Sequence, residues 1–154
     1  AGVLVEDALF ATLDPTTRRT ATPDGREYTL TDTVGFVRHL PHDLVEAFRS
    51  TLEESVQADL LLHVVDGSDA DPFGQIAAVR EVLSGIGAAG IAEQLVINKI
   101  DAAEPDTLLA LRGAHADAVF VSARTGEGID ELRTRLEERL PRPEIEVTAL
   151  RQSA

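Results

Sequence analysis

Three short apolar runs rich in β-branched residues constrain the fold of this chain most strongly. They are "DLLLHVVD" at 59–66, "QLVINK" at 94–99 and "AVFVSA" at 118–123, and each leads into polar residues. Continuous apolar runs of this length are typical of strands buried on both faces, as in a parallel sheet. The sequence therefore predicts three parallel strands that share one sheet.

Helical periodicities lie before, between and after these runs, because apolar residues recur at three- and four-residue spacings. The three sets are Leu44, Phe48, Leu52 and Val56; Ile76, Val79, Leu83 and Ile86; and Ile129, Leu132, Leu136 and Leu140. Asp71 and Pro72 suit the start of the second helix, and Gly87 suits its end. Pro141 would terminate the third helix.

The turn sequence "PDG" at 23–25 separates "RRTAT" from "REYTLTD" and predicts a hairpin that adds one antiparallel strand to the sheet. After the hairpin, strands and helices alternate. Right-handed crossovers fold that order into a three-layer α/β sandwich with a mostly parallel sheet. We assign residues 1–141 to this domain and residues 142–154 to a C-terminal tail or linker.

Composition excludes several classes of function. The 154 residues include no cysteine, which excludes disulfides, thiolate metal sites and a cysteine nucleophile. The net charge of -13 argues against direct DNA or RNA binding by this domain, because phosphate backbones would repel it. No apolar run approaches the roughly 20 residues that a membrane-spanning helix needs. We therefore expect a cytoplasmic domain without membrane insertion.

Polar clusters stand at or after the strand ends, where open α/β sheets bind their ligands. The first is "DTVGF" at 32–36. The Asp32 carboxylate could hold a hydrated Mg²⁺, and the N–H of Gly35 could approach a phosphate oxygen. Alone, an Asp-x-x-Gly pattern is also typical of an ordinary turn.

The second cluster, "NKID" at 98–101, contains the only lysine of the chain. A carboxylate at Asp101 could accept two hydrogen bonds from guanine, where adenine would leave it unsatisfied. Asn98 could donate to the base and tie neighbouring loops together. Lys99 could lay its aliphatic stem over the purine face, a role that the planar fork of an arginine does not reproduce. A plain turn after a strand explains the cluster equally well in isolation.

The third cluster is "SAR" at 122–124, where the N–H of Ala123 could meet the guanine carbonyl oxygen while Ser122 holds the loop. By itself this cluster carries almost no information. The order Asp-x-x-Gly, Asn-Lys-x-Asp and Ser-Ala, with each cluster at or just after a successive strand, predicts a guanine-nucleotide site.

Three longer stretches add a family resemblance. They are "LFATLDPTTRR" at 9–19, "LTDTVGFVRHLPHDLVEAFRSTLEE" at 30–54 and "ADLLLHVVDGSD" at 58–69. With the clusters above, they resemble the G domain of HflX-type ribosome-associated GTPases, a P-loop NTPase-type fold. The resemblance implies a monomeric, GTP-hydrolysing factor that exchanges GTP and GDP, requires Mg²⁺, and binds the large ribosomal subunit to split stalled or idle ribosomes.

The resemblance also assigns roles to residues. Thr12 in "FATLD" matches the threonine that closes on Mg²⁺ and the terminal phosphate, and Thr12 and Asp32 would be the metal ligands. Thr12 and Gly35 are the catalytic candidates. The nucleotide would contact Phe10, Ala11, Thr12, Leu13, Asp14, Asp32, Thr33, Val34, Gly35, Asn98, Lys99, Ile100, Asp101, Ser122, Ala123 and Arg124.

One part of the family pattern is missing. Phosphates are held by Gly-x-x-x-x-Gly-Lys-Ser/Thr in this class, and the one lysine of this chain follows Asn98 instead. In the family this motif lies just upstream of the matched segment. We therefore expect a partial G domain that lacks the first strand, the phosphate loop and most of the first helix, and that is catalytically incomplete alone.

Two other functions remain open. A non-catalytic module that binds guanine nucleotides or docks on a protein would fit the missing phosphate loop. A receiver-like domain with Asp66 as phosphate acceptor and Lys99 beside it would need an acidic pair near the first strand, which is not placed correctly here. We expect Asp66 to cap its loop and His63 to be a packed, hydrogen-bonded histidine.

Overall fold

Five strands and three helices make up the part of the chain that the structure, a computed structural model, describes: residues 16–32, 58–85 and 87–141. In chain order they are β1 (Thr16–Ala21), β2 (Glu27–Asp32), β3 (Leu61–Asp66), α1 (Pro72–Gly85), β4 (Glu93–Asn98), α2 (Pro105–Ala114), β5 (Val119–Phe120) and α3 (Ile129–Arg139). The predicted helix at 44–56 and the tail at 142–154 lie outside the described residues.

The three predicted apolar strands pair in parallel in the order β3-β4-β5. Asp66 stands opposite Asn98, and Ile97 opposite Phe120. β5 is shorter than the predicted run, because the chain turns at Ser122, whose N–H donates to Glu127 O at 2.9 Å. The contact with β4 still continues one residue beyond β5, since Val121 N–H donates to Ile97 O at 2.8 Å.

Helices pack on both faces of this sheet, which confirms the three-layer α/β fold, although Val64 on β3 remains exposed. One face packs against α1 and α2 through a buried cluster of Val65, Ile76, Leu95, Ile97, Leu111, Ala118 and Phe120. The other packs against α3 through Val96, Val119 and Val121, with Leu62, Ile129 and Leu132 partly buried beside them. Alternate residues of β4 thus face opposite layers, as the two-residue period of a strand requires.

The ends of the helices match the predicted signals. At the start of α1, the N–H of Gly74 donates to Asp71 Oδ1 at 3.0 Å, and Pro72 is the first helical residue. Gly87 follows the helix with a φ of 80°, a left-handed conformation that glycine adopts readily. None of the helices in the described segments is long and apolar enough to cross a membrane.

β1 and β2 form the predicted hairpin, in register from Thr16 opposite Asp32 to Ala21 opposite Glu27. Gly25 in the turn has a φ of 87°, and Thr22 N–H donates to Arg26 O at 2.8 Å to close the turn. The expectation that this hairpin adds a strand to the parallel sheet needs correction. In the described residues it is a separate two-stranded sheet, and its turn is held on α3 instead of beside β3.

The contact with α3 depends on the Arg26 guanidinium. It donates to Glu137 O at 2.5 Å, Leu140 O at 3.0 Å and Pro141 O at 3.2 Å. The last carbonyl groups of a helix have no donor within the helix, and the helix dipole makes that end partly negative. Arg26 therefore satisfies the C-terminal end of α3, while Asp24 accepts from its Nε at 2.9 Å.

A buried histidine contributes a second polar contact, between β3 and β4. His63 Nδ1 lies 3.1 Å from Glu93 Oε1, and the Arg80 guanidinium donates to the same oxygen at 3.1 Å. Burial lowers the pKa of His63, although Glu93 partly opposes this effect. The neutral ring donates from Nδ1, which leaves Nε2 buried without a hydrogen-bond partner among the described residues. His63 is thus packed and hydrogen-bonded, as predicted.

Replacing Arg26 with alanine should destabilise the fold, because two partly buried carbonyl groups and one exposed carbonyl group at the end of α3 would lose their donor. We expect a loss of about 1–3 kcal/mol in the free energy of unfolding, measured by urea denaturation. Arg26→Lys should recover part of this loss at most, since an ammonium lacks the planar fork. Arg133→Ala, at an exposed position on α3, is the control. An Arg26→Ala variant within about 0.5 kcal/mol of the native chain would contradict the contact's importance.

Acidification should destabilise the chain through His63. Because its pKa is lowered in the folded state, the unfolded chain takes up the proton first, so stability present above the ordinary pKa of 6.5 is lost as the pH falls below it. His63→Leu should reduce the fall of the urea midpoint between about pH 7 and about pH 5. Equal slopes for the native and His63→Leu chains would exclude this effect.

Candidate functional site

The carboxyl ends of β3, β4 and β5 meet at one edge of the sheet, because the three strands are parallel. Asp66 ends β3, Asn98 ends β4, and Ser122 follows two residues after β5. The loops that leave these ends carry two of the three polar clusters predicted to bind a nucleotide. We call this group, Asp66, Asn98, Lys99, Asp101, Ser122 and Ala123, the strand-end site.

Lys99 adopts a left-handed backbone conformation with a φ of 62°, unlike any other non-glycine residue in the described segments. That conformation costs about 1–2 kcal/mol for a residue with a side chain. It reverses the chain directly after β4, and the turn is closed by Ala102 N–H donating to Lys99 O at 3.0 Å. The turn lets the side chains of Lys99 and Asp101 reach different neighbouring strands.

Asn98 ties the β4 end to the loop after β5. Its Oδ1 accepts a hydrogen bond from Ala123 N–H at 3.0 Å. This is the loop-tying role expected for Asn98. The Ala123 N–H, which is predicted to meet a guanine carbonyl oxygen, is donated to Asn98 in this structure, and its role toward a nucleotide stays a prediction.

Asp101 is oriented by a buried serine. The Ser122 hydroxyl donates to Asp101 Oδ1 at 2.9 Å and accepts from Thr125 N–H at 3.1 Å. Ser122 is fully buried, whereas Asp101 is exposed. Within the described residues, Asp101 Oδ2 has no hydrogen-bond partner. Its carboxylate is therefore fixed on one side and open to a ligand on the other, which is the arrangement that a pair of external N–H donors needs.

Lys99 reaches toward β3, on the side away from Ser122. Its Nζ lies 3.1 Å from Asp66 Oδ2. Asp66 Oδ1 accepts from both Ser68 N–H, at 2.9 Å, and Ser68 Oγ, at 2.6 Å. Partial burial tends to raise the pKa of Asp66, but the hydrogen bonds from Ser68 and Lys99 outweigh it and lower the pKa.

The predicted capping role of Asp66 is present, but the ion pair with Lys99 was missed by sequence reasoning. The ion pair follows from the strand register, which a single sequence does not specify. Asp66 and Asn98 both end apolar runs of adjacent parallel strands, so the residue after Asn98 lies within reach of Asp66.

Two glycines allow the loops to come this close. Gly67 N–H donates to Asn98 O at 2.8 Å, and a Cβ on Gly67 would lie 2.8 Å from Ile97 Cγ2. Gly128, at the start of α3, has a φ of 78°, and a Cβ there would lie 2.1 Å from Phe120 O. Any other residue at either position would push its loop away from the strand ends.

The remaining predicted residues fall into three groups. Ile100 is partly buried against the core, and Arg124 is exposed. Asp32 is the last residue of β2. The segments 10–14 and 33–35 lie outside the described residues, so the roles of Thr12 and Gly35 stay predictions. No cluster of three or more metal-binding side chains occurs in the described part of the chain.

Comparison with known proteins identifies the family to which this chain is similar. The family model described as "50S ribosome-binding GTPase" matches residues 1–99. The GTPase HflX of Lacrimispora saccharolytica is 51% identical over 138 residues, which are 89% of this chain and 32% of that protein. The GTPase HflX of Escherichia coli K12 is 50% identical over 142 residues, 91% of this chain and 33% of that protein. This chain thus spans about a third of their length.

A solved structure shares the fold. The GTP-binding protein from the hyperthermophilic archaeon Sulfolobus solfataricus, in complex with GDP, matches with a TM-score of 0.65 and 25% identity, over 88% of this chain and 47% of that one. The match of the family model covers well over half of the chain. The chain therefore belongs to the 50S ribosome-binding GTPase family and, within it, is of the HflX type.

Proposed function

We propose that this chain carries the guanine-recognition half of a GTP-hydrolysing protein. The observation that supports this most directly is the convergence of Asn98, Lys99 and Asp101 with Ser122 and Ala123 at one edge of the sheet. In open α/β sheets, that edge is where ligands bind. GTP would be the substrate and GDP the bound product.

Guanine would be selected by the Asp101 carboxylate. Guanine presents two adjacent N–H donors on one edge, and adenine does not, so adenine would leave a desolvated carboxylate without donors. Ser122 holds Asp101 Oδ1 and fixes the direction in which the carboxylate faces. Lys99 would cover the purine face with its methylene groups, and Asn98 would hold the β4 and β5 loops at a constant separation.

The phosphate end of the nucleotide would lie near the segments 10–14 and 33–35. Thr12 and Asp32 supply a hydroxyl and a carboxylate, the hard oxygen donors that Mg²⁺ prefers, and the ion would neutralise charge on the phosphates. The N–H of Gly35 would contact the terminal phosphate. Phe36 follows Gly35, and an aromatic ring cannot polarise water, so another group must orient the nucleophile.

The large ribosomal subunit is the proposed partner of the whole protein. The description of the matching family supports it, and so does the likeness to HflX GTPases. The net charge of -13 makes this chain a poor RNA ligand alone, so the ribosome would be held through other parts of the protein. We also propose a monomer that acts in the cytoplasm, where ribosomes are found.

A second candidate is a guanine-nucleotide-binding or protein-docking module without catalysis. It is favoured by one observation, that the lone lysine is Lys99 and no Gly-x-x-x-x-Gly-Lys-Ser/Thr motif occurs in these 154 residues. The two candidates differ in one property: only the first predicts that a protein as long as the relatives hydrolyses GTP.

Asp101→Asn should change the base preference from guanine toward xanthine. An amide oxygen and N–H₂ cannot accept two donors, but they complement the carbonyl group that xanthine carries in place of the guanine amine. We expect GTP affinity to fall by about 10- to 100-fold, in line with the loss of hydrogen bonds to a charged group, and XTP to become the better ligand. Both the GTP and the XTP affinity can be measured by competition against a fluorescent GDP analogue. The measurement uses a protein as long as the relatives.

The matched control is Asp106→Asn, which makes the same charge change on the exposed first turn of α2. It should leave the ratio of GTP to XTP affinity as it is. If Asp101→Asn keeps the native preference for GTP, the strand-end site does not read the base.

The 154-residue chain alone should hydrolyse no GTP above the uncatalysed rate, because it contains no phosphate-loop lysine to stabilise charge in the transition state. Release of inorganic phosphate from GTP, followed over hours with purified chain, measures this. The longer protein at the same concentration serves as the positive control. If the rate of phosphate release increased in proportion to the concentration of the 154-residue chain, this proposal would be contradicted.

A further inference from the structure

We propose that Asp66 is a positioning residue for Lys99, so that the loop after β3 sets the purine-facing geometry of the strand-end site. The inference rests on the proposed function, since it assigns a task to a residue outside the Asn-Lys-x-Asp motif. Asp66 would act through Lys99 and not by touching the nucleotide.

The strand register places the two groups together. Asp66 and Asn98 are opposite each other at the ends of β3 and β4, so Lys99 leaves the sheet one residue beyond this pair. The left-handed backbone of Lys99 turns its side chain toward β3, and its Nζ stops 3.1 Å from Asp66 Oδ2.

The Asp66 carboxylate is held in place by contacts other than the one with Lys99. Ser68 donates two hydrogen bonds to its other oxygen, at 2.9 and 2.6 Å. The next residue, Gly67, donates to Asn98 O at 2.8 Å and has no room for a side chain. The carboxylate therefore cannot follow Lys99 if that side chain moves, and the ammonium must come to it.

Without such a contact, a lysine stem would sample many rotamers over the site. The Lys99 side chain is 57% exposed, and Asp66 is its one ion-pair partner in the described residues. Asp101 is held on the β5 side by Ser122, while Lys99 is held on the β3 side by Asp66. The two groups thus border the end of β4 from opposite sides, so that Asp101 would face the edge of a purine and Lys99 its ring.

Fold stability is a poor explanation for this ion pair. Exposed pairs contribute little to folding because solvent screens them and both side chains lose freedom. A contact that restrains an exposed lysine contributes more to ligand binding, since the ordering is complete before the ligand arrives.

A double-mutant cycle tests the proposal in the protein at the full length of its relatives, with GDP affinity as the readout. Asp66→Asn should weaken GDP binding by about 2- to 5-fold, the range expected when one exposed charged contact is lost. In a Lys99→Met background the same substitution should change the affinity by less than about 2-fold, because the side chain that Asp66 positions is gone. Asp69→Asn, a charge-matched change in the same loop, should alter neither background.

Equal weakening by Asp66→Asn in both backgrounds, or none in the native background, would overturn the proposal. Thermal unfolding of each nucleotide-free variant identifies a variant that fails to fold. If Asp66→Asn is such a variant, Asp66→Glu replaces it. Because Asp66→Glu retains the charge but displaces it, weakening is again expected only while Lys99 is present.

The result is separable from the base-reading proposal. If Asp101→Asn fails to shift preference toward xanthine, the proposed function fails. If that shift occurs and the Asp66–Lys99 cycle shows no coupling, only the positioning role fails.

Discussion

Parallel pairing of β3, β4 and β5 is the constraint on which the rest of the described structure depends. Parallel strands bring their carboxyl ends to one edge, so residues separated by more than 30 positions in the sequence, such as Asp66 and Asn98, become neighbours. Burial on both faces fixes the register, because a slip by one residue would turn Leu95 and Ile97 toward the wrong layer. The hydrophobic core and the strand-end site are therefore set by the same pairing.

The strand-end site is organised mainly by contacts between its own loops. Asn98 binds the loop after β5, Ser122 binds Asp101, and Asp66 binds Lys99. Each of these side chains thus has a hydrogen-bond partner in a loop that follows another strand. Their positions are therefore largely set before a ligand binds. Preorganisation of this kind lowers the entropy that binding would otherwise remove.

Much of this arrangement could be predicted from the sequence, because apolar runs and the polar residues after them are local signals. The strands, the start of α1 at Asp71 and Pro72, and the nearness of Asp101 to Ser122 all follow from such signals. The pairing of Asp66 with Lys99 depends on register between strands, which a single sequence does not specify. Arg26 and α3 are more than 100 residues apart, so their contact could not be anticipated, and the hairpin was expected to join the sheet instead.

The hydrogen bonds of Arg26 attach the turn of the hairpin to the C-terminal end of α3. Three carbonyl groups accept hydrogen bonds from Arg26 beside this turn. The six-residue strand β2, about 20 Å long, separates the turn from Asp32 at the other end of the hairpin. The hairpin therefore spans the distance between Asp32, in the predicted phosphate region, and the C-terminal end of α3.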